Sequence, residues 1–108
     1  MTTFDERERA YEKKFMIDQE LKFRAEARRD RQVARWAAGQ LGLSGPTAED
    51  YARSVCAVGV KRRGEGVFEK IRRDLRESEV DISDADLRDV MVKFLLTAVR
   101  DVTAAPEA

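Results

Sequence analysis

From Asp5 to Ala38 the chain contains no Pro or Gly, and apolar residues recur three and four positions apart among charged ones. That spacing predicts one long amphipathic helix, with a stop in "GQLG", Gly39 to Gly42. Opposite charges stand four apart along it: Asp5 with Arg9, Asp18 with Lys22, Glu20 with Arg24. Such pairs each add about 0.2–0.5 kcal/mol to an exposed helix. A second helix is expected after "SGPTAED", with Thr47 as N-cap, Asp50 completing a capping box, and Tyr51, Val55 and Val58 on one face. Lys61, Arg62, Arg63 and Gly64 interrupt the pattern and read as a loop. A third helix follows from Glu65 to Ser78, with Phe68, Ile71 and Leu75 as its stripe. Ser83 and Asp86 form another capping box. It opens a fourth helix that carries Leu87, Val90, Met91, Phe94, Leu95, Ala98 and Val102. The closing "TAAPEA" reads as a frayed tail.

The three shorter helices are not stable alone. Each has to bury its stripe against the others and against Val33, Trp36, Ala37 and Leu41 of the long helix. One such large side chain contributes about 1.5–3 kcal/mol on burial, so a dozen suffice for a compact core. The expected fold is therefore all-α: a four-helix bundle with a long, protruding N-terminal helix. That helix is longer than its neighbours can cover, which divides the chain into residues 1–18 and a bundle of residues 19–104.

The protruding end carries an unusual pattern. "TTFDERERAYEKKF", residues 2–15, is mostly charged, yet Phe4, Tyr11 and Phe15 are interleaved. At about 100° per residue these rings fall within about 40° of one another. They form a narrow seam suited to lying in a groove of a partner. The same composition fits a segment that is disordered when free and folds on contact. Core packing or self-association through the rings is the competing reading of the same spacing.

Charge and chemistry narrow the function. Lys+Arg and Asp+Glu both number 21, so the net charge is zero and the basic residues are mixed with acids. This argues against nucleic acid as a partner. No apolar run is long enough to span a membrane, and the charged start is not expected to act as a signal peptide. With Cys56 as the one cysteine there is no internal disulfide, and a cytoplasmic location is expected. There is no histidine, which removes imidazole acid/base chemistry and imidazole metal ligands. Cys56 is expected to pack rather than react. Asp81, Asp84 and Asp86 lack the Gly and distal Glu of a calcium loop and read as capping and solvated groups. "KRRGEG", Lys61 to Gly66, lacks the order of a phosphate loop. The chain is not expected to be an enzyme, and no cofactor or metal is implied.

"FDERERAYEKKF", then "ELKFRAEARRDRQVARWAAGQLGLSG", "VFEKIRRDL", "VDISD" and "FLLTAVRDV" resemble, in order and nearly end to end, the zeta inhibitor subunit of the alphaproteobacterial F-type ATP synthase. The resemblance implies a four-helix protein whose mobile N-terminal segment inserts as a helix at a catalytic αβ interface of the synthase head and blocks ATP hydrolysis. It implies the alpha, beta and gamma subunits as partners and a place peripheral to the inner membrane through the synthase. It also implies a monomer when free. The inhibitory segment falls at Thr2 to Asp18. On this reading Phe4, Tyr11 and Phe15 bury in the subunit cleft, and Arg7, Arg9, Lys13 and Lys14 meet acidic groups lining it. Glu6, Glu8 and Glu12 face the rim or basic groups. Met16 and Ile17 are more apolar than the family pattern, and "CAVGVKRRGEG" is more basic. A helical adaptor or assembly factor, using the same seam on another helical partner, is the alternative.

Overall fold

The computed structural model describes the backbone of residues 2–104 and the side chains of residues 19–103. It is all-helical over those residues: α1 (Thr2–Gln40), α2 (Gly45–Glu77) and α3 (Asp84–Ala104). Three helices therefore stand where four were expected. The difference lies in the stretch read as a loop. Helical structure runs through Lys61–Gly64, and inside α2 Arg63 alone leaves helical backbone geometry, at φ 62° and ψ −156°. One residue is enough to reverse the chain. Tyr51 Oη donates a hydrogen bond to Asp74 Oδ2 at 2.9 Å. In a straight helix those two residues would be about 34 Å apart. So α2 doubles back, and residues 45–62 and 64–77 lie against each other as two limbs of one element.

The core is built from all three helices. Val33, Ala34 and Ala37 of α1 pack with Ala52, Val55, Val67, Phe68, Ile71 and Leu75 of α2 and with Leu87 and Met91 of α3. Trp36, Leu41, Tyr51, Val90 and Phe94 cover the edges of this cluster. The stripes read from the sequence are the faces that are buried. Phe68, Ile71 and Leu75 are at most 2% exposed, and Leu87 and Ala98 are fully buried. Asp84 joins α3 to α2 by accepting from Arg72 at 3.1 Å and Arg76 at 3.0 Å.

The helix ends follow local chemistry, with one correction. The Ser83 hydroxyl accepts from the Asp86 amide at 3.0 Å, as its capping role requires. Thr47 is not a cap. α2 begins two residues before it, with Ser44 in the extended N-cap position and Pro in the first turn. Pro is well placed there, because its missing N–H is one the first turn leaves unpaired anyway. At the end of α1, Leu43 N–H bonds Ala38 O (2.9 Å) and Gly42 N–H bonds Gly39 O (3.1 Å), with Gly42 at φ 76°. This paired arrangement closes the last turn and needs the left-handed residue that glycine supplies. α3 runs to Ala104, so helix persists into the stretch read as tail; residues 105–108 of it lie outside the described residues.

α2 ends the same way, but with the wrong residue. Val80 N–H bonds Leu75 O (2.8 Å), Glu79 N–H bonds Arg76 O (3.0 Å), and the left-handed position is Glu79, at φ 60°. A Cβ in that region costs energy that glycine avoids. Glu79→Gly is expected to raise stability by about 0.5–1 kcal/mol, after subtraction of glycine's larger unfolded-state entropy. The midpoint of urea unfolding reads this directly. A lower midpoint would show that the Glu79 side chain stabilises the turn by more than its backbone strains it.

Candidate protein-binding segment

The seven residues singled out for partner binding (Phe4, Arg7, Arg9, Tyr11, Lys13, Lys14 and Phe15) all fall on the N-terminal part of α1. Their side chains lie outside the described residues, as do those of Asp5, Arg9 and Asp18. What is described is the backbone that carries them and the stem that holds them. α1 is unbroken from Thr2 to Gln40. It stays so because the sequence offers no Pro or Gly before Gly39 to interrupt the hydrogen-bond ladder.

The stem begins at Phe23. Its ring is 49% exposed and is covered on one side by the Arg63 guanidinium, 4.5 Å from the ring centroid. Arg63 also donates to Glu26 Oε1 through Nε (3.1 Å) and Nη2 (2.5 Å). Five residues beyond Phe23, Arg28 Nε reaches Asp101 Oδ2 of α3 at 3.0 Å. The reversal of α2 and the end of α3 thus grip α1 from two sides within two helical turns. From Thr2 to Phe23 the helix is about 30 Å long.

Directly behind this grip sits a buried ion pair. Arg29 and Asp30 are 7% and 6% exposed, and Arg29 Nε donates to Asp30 Oδ1 at 3.0 Å. Burial raises the Asp30 carboxyl above its ordinary range, and the Arg29 guanidinium only partly counters this. The sign follows from the raised folded value. Ionising Asp30 costs stability, a cost that is absent below the ordinary carboxylate range and fully present above the folded pKa. The pair fits only because α2 has a glycine opposite. A Cβ at Gly59 would run into the Asp30 carboxylate and come within 3.2 Å of Val67 Cγ2. Cys56 is half-buried nearby, and burial followed by the Asp30 charge pushes its thiol up, away from the reactive thiolate.

The remaining surface offers little for chemistry. A hollow of about 630 Å³ lies between the limbs of α2, lined by Arg62, Lys70, Arg73 and Arg76 among others. Each of these cations already faces a carboxylate: Arg62 with Glu69 (2.6 Å), Lys70 and Arg73 with Asp74 (3.0 and 3.6 Å), Arg76 with Asp84 (3.0 Å). Among the described residues no three His, Cys, Asp or Glu side chains come together to hold a metal ion.

Two features escaped the sequence reading. The grip of Arg63 on Phe23 and Glu26 joins residues 37 and more apart, and in sequence Arg63 is one cation in a run of three. The Arg29–Asp30 pair hides inside "ARRDRQ", where nothing distinguishes buried charges from solvated ones. The one usable signal was the cluster Gly59, Gly64 and Gly66, since glycines in helical context mark close approach. Residues 1–101 match the family model described as ATPase inhibitor subunit zeta. No curated protein matches the sequence.

Proposed function

The chain belongs to the ATPase inhibitor subunit zeta family, a regulatory rather than a catalytic one, and from that premise we propose that it inhibits F-type ATP synthase by inserting residues 2–18 at a catalytic αβ interface. The observation that carries this reading is the extent of the family match, which takes in the opening segment together with the bundle. The geometry supports it. The segment continues a helix whose stem is gripped by the bundle at Phe23, and its tip lies about 30 Å from that grip.

The division of labour follows from the residues. Phe4, Tyr11 and Phe15 bury in the cleft between subunits and slow release, as aromatic anchors at interfaces do. Arg7, Arg9, Lys13 and Lys14 meet acidic groups and set register and on-rate. No group on the inhibitor takes part in bond-making. Inhibition comes from holding one interface in a conformation that cannot complete the cycle. Residues 19–104 stay outside the cleft, bind the head and limit how far the helix enters. The alpha, beta and gamma subunits are the partners, and the protein works in the cytoplasm, peripheral to the inner membrane through the synthase. Among the described residues no helix is long and apolar enough to cross a membrane.

Titrating the purified F-type synthase with the full chain tests this. ATP hydrolysis is expected to fall to a low plateau at one inhibitor per head. Turnover that stays constant while the chain binds would replace the inhibitor with an adaptor.

A further inference from the structure

We propose that Arg63 is a positioning residue for the inhibitory segment: its guanidinium clamps the stem of α1 at Phe23 and Glu26, and so fixes the line along which that segment leaves the bundle. This rests on the reading of residues 2–18 given above.

The inference starts from a backbone cost. Arg63 sits at φ 62°, ψ −156°, a region occupied almost only by glycine. Gly64 stands one position too late to relieve it. Glycine at 63 would make the same reversal with less strain. What arginine adds is its side chain. It leaves the reversal of α2, crosses to α1, donates twice to Glu26 Oε1 and lies over the Phe23 ring. The Glu26 side chain is only 16% exposed, so this pair is better shielded from water than most surface pairs. Phe23 and Glu26 are three apart on one face of α1, so a single guanidinium spans both.

The position of the clamp gives it leverage. Phe23 lies near the start of the described side chains of α1 and is held there by Arg63 of α2. Beyond it the helix continues for about 30 Å, so a change of about 10° in its exit direction moves the tip by about 5 Å. That is enough to move the seam out of register with a cleft.

Two substitutions in the full-length chain test this. Arg63→Gly removes the clamp and the backbone strain together; Glu26→Gln weakens the clamp and leaves the backbone of α2 alone. Three quantities are read: the melting temperature, amide exchange at residues 20–26, and the concentration giving half inhibition of ATP hydrolysis. For Arg63→Gly the melting temperature is expected to stay within about 3 °C of the parent, because relieved strain offsets lost contacts. Exchange at residues 20–26 is expected to speed about tenfold, and half inhibition to need about tenfold more protein. Glu26→Gln should move exchange and inhibition in the same direction, by less. A residue that merely held the fold together would move stability and inhibition in step. Unchanged exchange at residues 20–26 in both variants overturns the clamp. Faster exchange with unchanged inhibition overturns its positioning role. If the parent chain itself does not inhibit, the exchange result still decides the clamp, and the failure belongs to the functional reading.

Discussion

A chain lacking residues 1–18 is expected to leave ATP hydrolysis by the synthase untouched at concentrations where the full chain silences it. Its bundle should melt where the parent melts. Among the described residues the core cluster begins at Val33, so the truncation removes the inserting helix and leaves that cluster whole. The sharper form of the experiment keeps the helix and removes two rings. Tyr11→Ala with Phe15→Ala raises helix propensity slightly, so the segment remains able to form. Each ring carries about 150–250 Å² of surface into a partner, and truncating a buried aromatic anchor costs about 2 kcal/mol or more. Two such losses, allowing for non-additivity, predict at least about a hundredfold rise in the half-inhibitory concentration. Thermal melting should not change. Full potency in the double variant would sink the seam and shift the binding to the charges, Arg7, Arg9, Lys13 and Lys14.

The second large effect is on stability. Phe68 is 2% exposed and sits where α2 and α3 meet the core. Its ring also carries two cations: the Arg88 guanidinium at 3.9 Å from the centroid and that of Arg72 at 5.5 Å. Arg88 reaches across from α3, and its other contact is Glu65, at 3.3 Å. Phe68→Ala is therefore expected to cost about 3–5 kcal/mol through the lost burial and the cavity left behind. The loss of the ring under two guanidinium groups places it toward the upper end. A domain of this size has about 5–15 kcal/mol in total, so the variant should be marginal at 37 °C and melt some 15–30 °C lower. Chemical denaturation checks the size of the effect. Val92→Ala, at a position 53% exposed, is the matched control and should change stability by less than about 0.5 kcal/mol. A Phe68→Ala loss as small as the control's would mean that the core does not depend on that ring.

Much of this protein could be read from its sequence because helices are local. The start of α3 follows from Ser83 and Asp86, the end of α1 from Gly42, and the buried faces from spacings of three and four. Where the reading failed, the cause was that one residue can do what a loop was expected to do. "VKRRGEG" breaks the apolar period, and a broken period followed by glycine reads as a connection. In the folded chain the helix continues to Arg62, turns at Arg63 and resumes. Thr47 failed for a related reason: Ser44, Pro46 and Thr47, each able to cap or open a helix, stand within four positions, and Ser44 with Pro46 took the role first.

The sequence by itself determined the helical class, the buried stripes, the family, and a charged opening segment with three rings on one face. These depend on residues within one or two turns of each other, where spacing fixes geometry. Only the tertiary structure decided that α2 reverses at a single strained arginine, that Arg29 and Asp30 are buried as a pair behind Gly59, and that Arg63 spans Phe23 and Glu26. The physical reason is common to all three. A charge in a run of charges has no local mark of burial or partner. Which one leaves water is set by the surface that arrives from another helix, and here that surface is the backbone of a glycine and the turn beside it.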